Sequence, residues 1–180
     1  MRSLRDCSGR ELTWKQKHRL FAPVYELYDG QEVIATLTFR SAFGSLAAAE
    51  CVDGCWTFKR TGFFRTRVTV RKCGADADIA VFKNATWSRG GTIEQAGGPS
   101  FQASTNLWNS RCDIATSAGE TLIHYESRFG IVHPKRVVVV QPAAAAWEES
   151  PWLTLFGMYL IRMLQSDDVA AAAAGAAASG

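Results

Sequence analysis

The sequence predicts a mainly β protein, a closed antiparallel β-barrel of about twelve strands with a hydrophobic C-terminal α-helix in its centre. Short segments of alternating apolar and polar residues, separated by turn residues, fill most of the chain up to residue 141. One strongly apolar segment follows at residues 152–164, and its single charge is Arg162. Because a helix that is apolar on nearly all sides is buried on nearly all sides, the strands are expected to enclose it.

The strands are predicted from a period of two. In residues 64–71, Phe64, Thr66, Val68 and Val70 alternate with Arg65, Arg67, Thr69 and Arg71, as in a half-buried strand. Residues 31–40 show the same alternation over their last eight positions. The other predicted strands are residues 12–17, 24–28, 46–52, 55–60, 78–82, 91–95, 100–103, 111–115, 120–127 and 136–141.

Turn residues separate these strands at short intervals. Asp29-Gly30 and Asp53-Gly54 are predicted to be two-residue hairpin loops, since Asp-Gly suits a turn in which both residues have positive φ. Ala118-Gly119 is expected to turn the chain before residues 120–127. The short connections favour a meander of neighbouring antiparallel strands.

The C-terminal helix is predicted to begin near Pro151, because proline is well tolerated in the first turn of a helix. Residues 152–164 would span about 20 Å, whereas a bilayer core is about 30 Å thick. Acidic residues flank the segment on both sides, so a buried helix is favoured; a short membrane anchor and a partner-binding segment remain open. Gly157 suggests a close approach to the helix. The core residues predicted on the helix are Trp152, Leu153, Leu155, Phe156, Tyr159, Leu160, Met163 and Leu164.

The chain is expected to form one domain, because 180 residues with 47% hydrophobic and 21% charged residues suit a single sizeable core. Residues 1–9 are assigned to an N-terminal tail, 10–166 to the barrel with its helix, and 167–180 to an alanine-rich tail. The N-terminal residues are polar and basic, without the apolar region of a secretory signal. The expected location is the cytoplasm, with peripheral contact at the inner face of the membrane under a lipid-docking hypothesis.

The cysteines and histidines do not indicate a catalytic or metal site. Five irregularly spaced cysteines are interpreted as reduced, mostly buried thiols, and Cys51 and Cys55 are not expected to pair. His18, His124 and His133 lie far apart in the sequence, and the common hydrolase, metalloprotease and nucleotide-binding motifs are absent. We therefore expect a non-enzymatic protein without cofactor or metal.

Basic residues are concentrated in one stretch that contains no acid. Net charge is +3, from twenty Lys and Arg against seventeen Asp and Glu; without the six residues of this stretch the counts are fourteen and seventeen. Such a concentration suits phosphate groups, although a solvated outer face of a barrel would look similar. Nucleic acid is not expected, since the rest of the chain is acidic. The tentative lipid-binding residues are Lys59, Arg60, Arg65, Arg67, Arg71 and Lys72, with a second basic run at Arg10, Lys15, Lys17, His18 and Arg19.

Three segments resemble proteins of the tubby C-terminal-like superfamily, which includes the plant LURP-one-related proteins and the phospholipid scramblases. They are CWTFKRTGFFRTRVTVRK (55–72), STNLWNSRCDIATSAGETLIHYESR (104–128) and QPAAAAWEESPWLTLFGMYLIRML (141–164). The resemblance is to a bacterial branch without assigned activity, and it implies a twelve-stranded barrel around a central helix. It also implies an association with membranes, because tubby domains bind phosphoinositides through basic surface residues. The chain lacks an EF-hand-like calcium loop, which puts a calcium-dependent scramblase activity in doubt.

Three hypotheses about function follow. The first is a β-barrel module that docks reversibly on anionic phospholipid membranes through its basic strand face. The second is a protein-interaction or scaffolding barrel without lipid binding. The third is a scramblase-like lipid-handling protein anchored by its C-terminal helix. The sequence identifies no small-molecule ligand, protein partner or oligomeric state.

Overall fold

The computed structural model describes residues 2–18, 22–42, 44–62, 67–85, 90–106, 110–128 and 135–178, except the side chains of residues 18, 135, 168, 177 and 178. It confirms the predicted closed antiparallel barrel, in which each strand pairs with its neighbours in sequence and the first strand pairs with the twelfth. The strands are β1 Glu11–His18, β2 Val24–Asp29, β3 Glu32–Phe39, β4 Ala47–Cys51, β5 Gly54–Thr61, β6 Arg67–Lys72, β7 Ala80–Asn84, β8 Gly90–Gln95, β9 Ser100–Thr105, β10 Arg111–Thr116, β11 Thr121–Arg128 and β12 Lys135–Val140. Helix α1, Ser150–Ala178, follows them.

Helix α1 supplies the centre of the core, as predicted. Every residue from 150 to 161 is buried, whereas Met163 and Leu164 are half-buried. Phe156 lies at the middle of an aromatic cluster with Phe58, Phe82 and Tyr159. The hydroxyl of Tyr159 also donates a hydrogen bond to the Ser45 carbonyl oxygen at 2.6 Å, which fixes the helix to the barrel wall.

The N-terminal segment covers one end of the barrel and is not a free tail. A short 3-10 helix covers Arg5–Cys7, and Leu4 directly precedes it. Leu4 and Cys7 are both fully buried in the core. The Leu4 amide donates a hydrogen bond to Asp53 at 2.7 Å, and the Gly9 amide donates one to the Val140 carbonyl at 2.7 Å. A second 3-10 helix, Pro142–Ala146, lies at the same end and leads into α1. Burial of Leu4 and Cys7 explains why this segment is ordered.

Helix α1 continues beyond the barrel at the opposite end. The sequence predicts a helix over residues 152–164 followed by an alanine-rich tail; α1 runs on to Ala178, so the predicted end of the helix is too early. Alanine has the highest helix propensity, which accounts for the extension. Described side chains from Asp167 onward are exposed. Among the described residues, no helix combines the length and apolar character needed to cross a membrane.

The two predicted Asp-Gly hairpins, β2–β3 and β4–β5, form as expected, but each loop is displaced by one residue and each pairing register by two. Asp29 pairs with Glu32, so the loop is residues 30–31, and Cys51 pairs with Gly54, so the loop is residues 52–53. In the first hairpin Gly30 is the residue with positive φ, at 62°. Strand β6 begins at Arg67, and the predicted start of this strand at Phe64 lies outside the described residues, as do Phe63 and Arg65.

The expectation that all cysteines are reduced is wrong for one pair. Cys55 and Cys73 form a disulfide with a Cα–Cα distance of 5.3 Å, because the β5–β6 register places them opposite each other. Cys7, Cys51 and Cys112 are free thiols, and burial raises the pKa of Cys112 to about 12. Cys51 and Cys55 are not paired, as predicted.

Candidate functional site

The two ends of the barrel carry opposite charges. We call the end at which β1, β3, β5, β7, β9 and β11 finish, and from which α1 leaves, the helix-exit end. Among the two residues of each described strand nearest this end, none is Asp or Glu. The helix-exit cations, on these strand positions or directly after β3, are Lys17, Arg40, Arg60, Arg67, Lys83, Arg111, Arg128 and Arg136.

The other end of the barrel is mainly acidic. Among the two residues of each described strand nearest this end, only Arg71 and Lys72, at the end of β6, are basic. The corresponding acidic residues are Glu11, Asp29, Glu32, Glu50 and Glu94. On these strand positions most cations therefore lie toward one end and most acids toward the other, although Lys83 and Arg128 are ion-paired with Glu94 and Glu11 of the opposite end.

The predicted lipid-binding residues do not form one patch. Lys59, Arg67 and Arg71 lie on the outer face of β5 and β6, since they alternate with the buried Phe58, Val68 and Val70. Arg71 is paired with Asp78, with 2.5 Å between Nε and Oδ1. Arg67 and Arg71 therefore lie on the same outer face of β6, as their alternation with apolar residues predicts.

The remaining predicted residues separate. Arg60 lies on the inward-facing side of β5 at the helix-exit end and contacts Asp167 of α1 at 2.6 Å. Lys72 lies at the opposite end of the barrel, and Arg65 lies outside the described residues. The inward side of Arg60 follows from its even spacing from Trp56 and Phe58, a signal that was present in the sequence.

The second basic run is also divided. Lys17 is paired with Glu26 at 3.3 Å, and Lys15 stacks over the Tyr28 ring at 4.1 Å. Arg10 pairs with Asp29 at 3.0 Å, near the acidic end. The side chain of His18 and all of Arg19 lie outside the described part of the chain. Only Lys17 of this run adds a described cation to the helix-exit end.

Two helix-exit cations are exposed and have no acidic neighbour among the described residues. Arg40 and Arg67 make no ion pair with any described side chain, whereas Lys83 is paired with Glu94 and Arg111 with Glu126. Arg67 lies directly opposite Lys83 in the β6–β7 register. Like charges in opposite positions of a sheet repel each other, and here the ion pair of Lys83 with Glu94 offsets part of that repulsion.

A cleft opens at the helix-exit end between α1 and the wall formed by β5 to β9. Its empty volume is about 480 Å³, part of which is open to solvent. Apolar side chains form its interior, and Arg60 and Asp167 lie at its edge with two neutral polar residues. The lining residues are Arg60, Val68, Phe82, Asn84, Gly90, Ala103, Thr105, Leu160, Met163, Leu164 and Asp167.

Arg136 is a cation that sequence reasoning missed. It shares the inward-facing side of β12 with the buried Val138 and Val140, and its Nη1 is fully buried without a hydrogen-bond partner among the described residues. Burial lowers the pKa of its guanidinium below the ordinary value. The even spacing of Arg136 from Val138 and Val140 was the available signal.

Replacing Arg136 with methionine is expected to raise the free energy of unfolding by about 1 kcal/mol or more, because burying a cation without a partner is unfavourable. Urea denaturation measures the change. Arg40→Met, at an exposed position, is the control and should stay within about 0.5 kcal/mol of the parent. Strong destabilisation by Arg136→Met would show that the guanidinium makes a stabilising interaction.

No metal site is found in the described part of the chain. No three His, Cys, Asp or Glu side chains there are placed to hold a metal ion. His124 lies on the outer face of β11, where Nδ1 is 2.6 Å from Oδ1 of Asp113. His133 and the side chain of His18 lie outside the description.

The fold and the site define a closed twelve-stranded barrel filled by its own C-terminal helix, with a basic, partly apolar opening where the helix leaves. No family model, curated protein or solved structure matches the chain.

Proposed function

We propose that this protein is a non-enzymatic module that docks reversibly on anionic phospholipid membranes with the helix-exit end of the barrel facing the lipid. The observation that carries the proposal is the one-sided distribution of charge, with cations on the strand positions of this end and acids on those of the other. A surface that attracts anions at one end and repels them at the other orients the barrel axis along the membrane normal. Each Lys or Arg near an anionic membrane contributes about 1 kcal/mol.

Two further observations favour a membrane over another polyanion. The apolar cleft opens among the cations, so this end presents both charge and apolar surface. Arg67 and Lys83 lie opposite each other, which brings two cations together at this end. The proposal keeps Arg60 and Arg67 of the predicted lipid-binding residues and replaces the others with cations from other strands. We also propose that the resemblance to the tubby C-terminal-like superfamily reflects a shared way of binding membranes.

Flotation with liposomes tests the proposal. The protein should float with anionic vesicles at low salt, remain unbound with neutral vesicles and dissociate at high salt, because salt screens exposed charges. Arg40→Gln/Arg67→Gln removes two helix-exit cations and should weaken binding roughly 30-fold, at about 1 kcal/mol for each charge. Arg5→Gln/Lys72→Gln, in the region of the acidic end, changes the net charge equally and should retain near-parental binding.

Other outcomes separate the alternative functions. Equal losses in the two double variants would show that docking depends on total charge, and the orientation would be wrong. Binding that survives high salt would favour the hypothesis of a protein anchored by its C-terminal helix. Absence of flotation under every condition would overturn lipid docking and leave the protein-interaction barrel as the hypothesis to pursue.

A further inference from the structure

We propose that the cleft at the helix-exit end binds a free single-chain anionic amphiphile, such as a medium-chain fatty acid, whose carboxylate replaces Asp167 at Arg60. This is a small-molecule site, and it does not require that the protein docks on membranes. The proposal rests on the chemistry of the cleft lining and the position of one ion pair.

The interior of the cleft suits a hydrocarbon chain. Leu160, Met163 and Leu164 form the helix side, and Val68, Phe82 and Ala103 form much of the wall. The cleft is narrow and partly open to solvent, so it would admit the end of a chain and not a whole phospholipid.

A glycine helps to form the cleft. Gly90 begins β8 and lines the cleft without contributing a side chain. A Cβ atom at this position would lie 3.0 Å from the Cα of Ser104, so the neighbouring strand leaves no room for one. The close pairing of β8 and β9 therefore excludes a side chain from this part of the wall.

The polar edge of the cleft suits an anionic headgroup. Arg60 is an inward-facing guanidinium with 25% of its side chain exposed, and it contacts Asp167 at 2.6 Å. Asn84 and Thr105 add neutral polar groups nearby. Guanidinium groups bind carboxylates through paired hydrogen bonds, so a fatty-acid carboxylate matches the chemistry at Arg60.

Asp167 occupies the place that a ligand carboxylate would take. Its side chain is 50% exposed, and exposed ion pairs contribute little to stability, so an external carboxylate can replace it at small cost. Asp167 also lies beyond the fully buried part of α1, which ends at Ile161. It therefore acts as an internal competitor of the ligand, and removing its charge should strengthen binding.

Isothermal titration with decanoate, below its micelle concentration and without vesicles, tests the site. Asp167→Asn should tighten decanoate binding about three- to tenfold, and Arg60→Gln should weaken it at least tenfold. The matched controls are Asp78→Asn and Arg71→Gln, which alter a similar ion pair on the outer face and should leave binding unchanged. The binding affinity of decanol, which has the same chain length without the charge, should be changed by neither Asp167→Asn nor Arg60→Gln.

A second measurement locates the ligand. Among the three methionines, Met163 lines the cleft and Met158 is buried in the core. In spectra of methyl-labelled protein, decanoate should shift the Met163 methyl signal strongly and that of Met158 weakly. Melting temperatures near the parental value show that the variants remain folded.

Three results would overturn the proposal: no heat of decanoate binding, an unshifted Met163 methyl at saturating decanoate, or the same response in Asp167→Asn and Asp78→Asn. Binding to anionic vesicles combined with no decanoate binding would retain the membrane interface and reject the small-molecule site. Decanoate binding without flotation would do the reverse, so the two proposals fail independently.

Discussion

Gly157→Leu is expected to prevent formation of the native barrel. A Cβ atom at Gly157 would lie 2.8 Å from Cζ of Tyr125, well inside van der Waals contact. The Tyr125 ring cannot move aside easily, because it is fully buried and its hydroxyl donates a hydrogen bond to the carbonyl of Thr154. Glycine inside a helix costs about 1 kcal/mol relative to alanine, so its presence here reflects this close approach.

Alanine scanning of two glycines in the same helix measures the effect. Gly157→Ala should lower the free energy of unfolding by about 1–3 kcal/mol through overpacking, and Gly157→Leu should lower it further. Gly175 has no neighbouring atom within 4 Å of an added Cβ, so Gly175→Ala should be neutral or stabilising by up to about 1 kcal/mol. If Gly157→Ala and Gly175→Ala melt alike, the helix does not pack against Tyr125.

Phe156→Ala is expected to destabilise the protein by about 3–5 kcal/mol, as large-to-small substitutions of buried aromatic residues do. Phe156 is fully buried, and its ring centroid lies 5.3 Å from that of Phe58 and 6.0 Å from that of Phe82. Its removal would leave a cavity between α1 and the wall at β5 and β7. The loss includes both the burial of the ring and its edge-on aromatic contacts.

Urea denaturation monitored by circular dichroism checks this prediction. Val169→Ala is the control, because Val169 lies on the same helix with 70% of its surface exposed. The control should change the free energy of unfolding by less than about 0.5 kcal/mol. Similar midpoints for Phe156→Ala and Val169→Ala would contradict a core built around the helix.

The strands and the buried helix could be predicted because each depends on local patterns. Alternation from Phe58 to Arg60, or from Val68 to Arg71, survives folding whatever the neighbouring strand is. The pairing register of two strands cannot be predicted from such a pattern, since it depends on which residue of the turn between them adopts positive φ. In the β4–β5 hairpin, Cys51 pairs with Gly54, two residues from its predicted partner. The missed Cys55–Cys73 disulfide has a related cause, because opposition of the two thiols requires the β5–β6 register.

The candidate site could be predicted only in part. Basic residues around β5 and β6 were visible as a run, but the polarity of the barrel arises from cations at the ends of odd-numbered strands and at the starts of even-numbered ones. Which cations lie at the same end of the barrel can be determined only when the direction and order of the strands are known. The contact of Arg60 with Asp167 joins residues far apart in the sequence, and no local pattern indicates it.

The position of the core helix after all twelve strands has a consequence for biosynthesis. The ribosome completes all twelve strands before it releases α1, and closure of the barrel joins β1 to β12, so the most distant contacts form last. Folding dominated by such non-local contacts is slow. The nascent chain would expose strand edges and the inner apolar wall during this interval, which makes it a substrate for chaperones. A chain truncated between β12 and α1 would therefore contain all twelve strands without the segment that fills them.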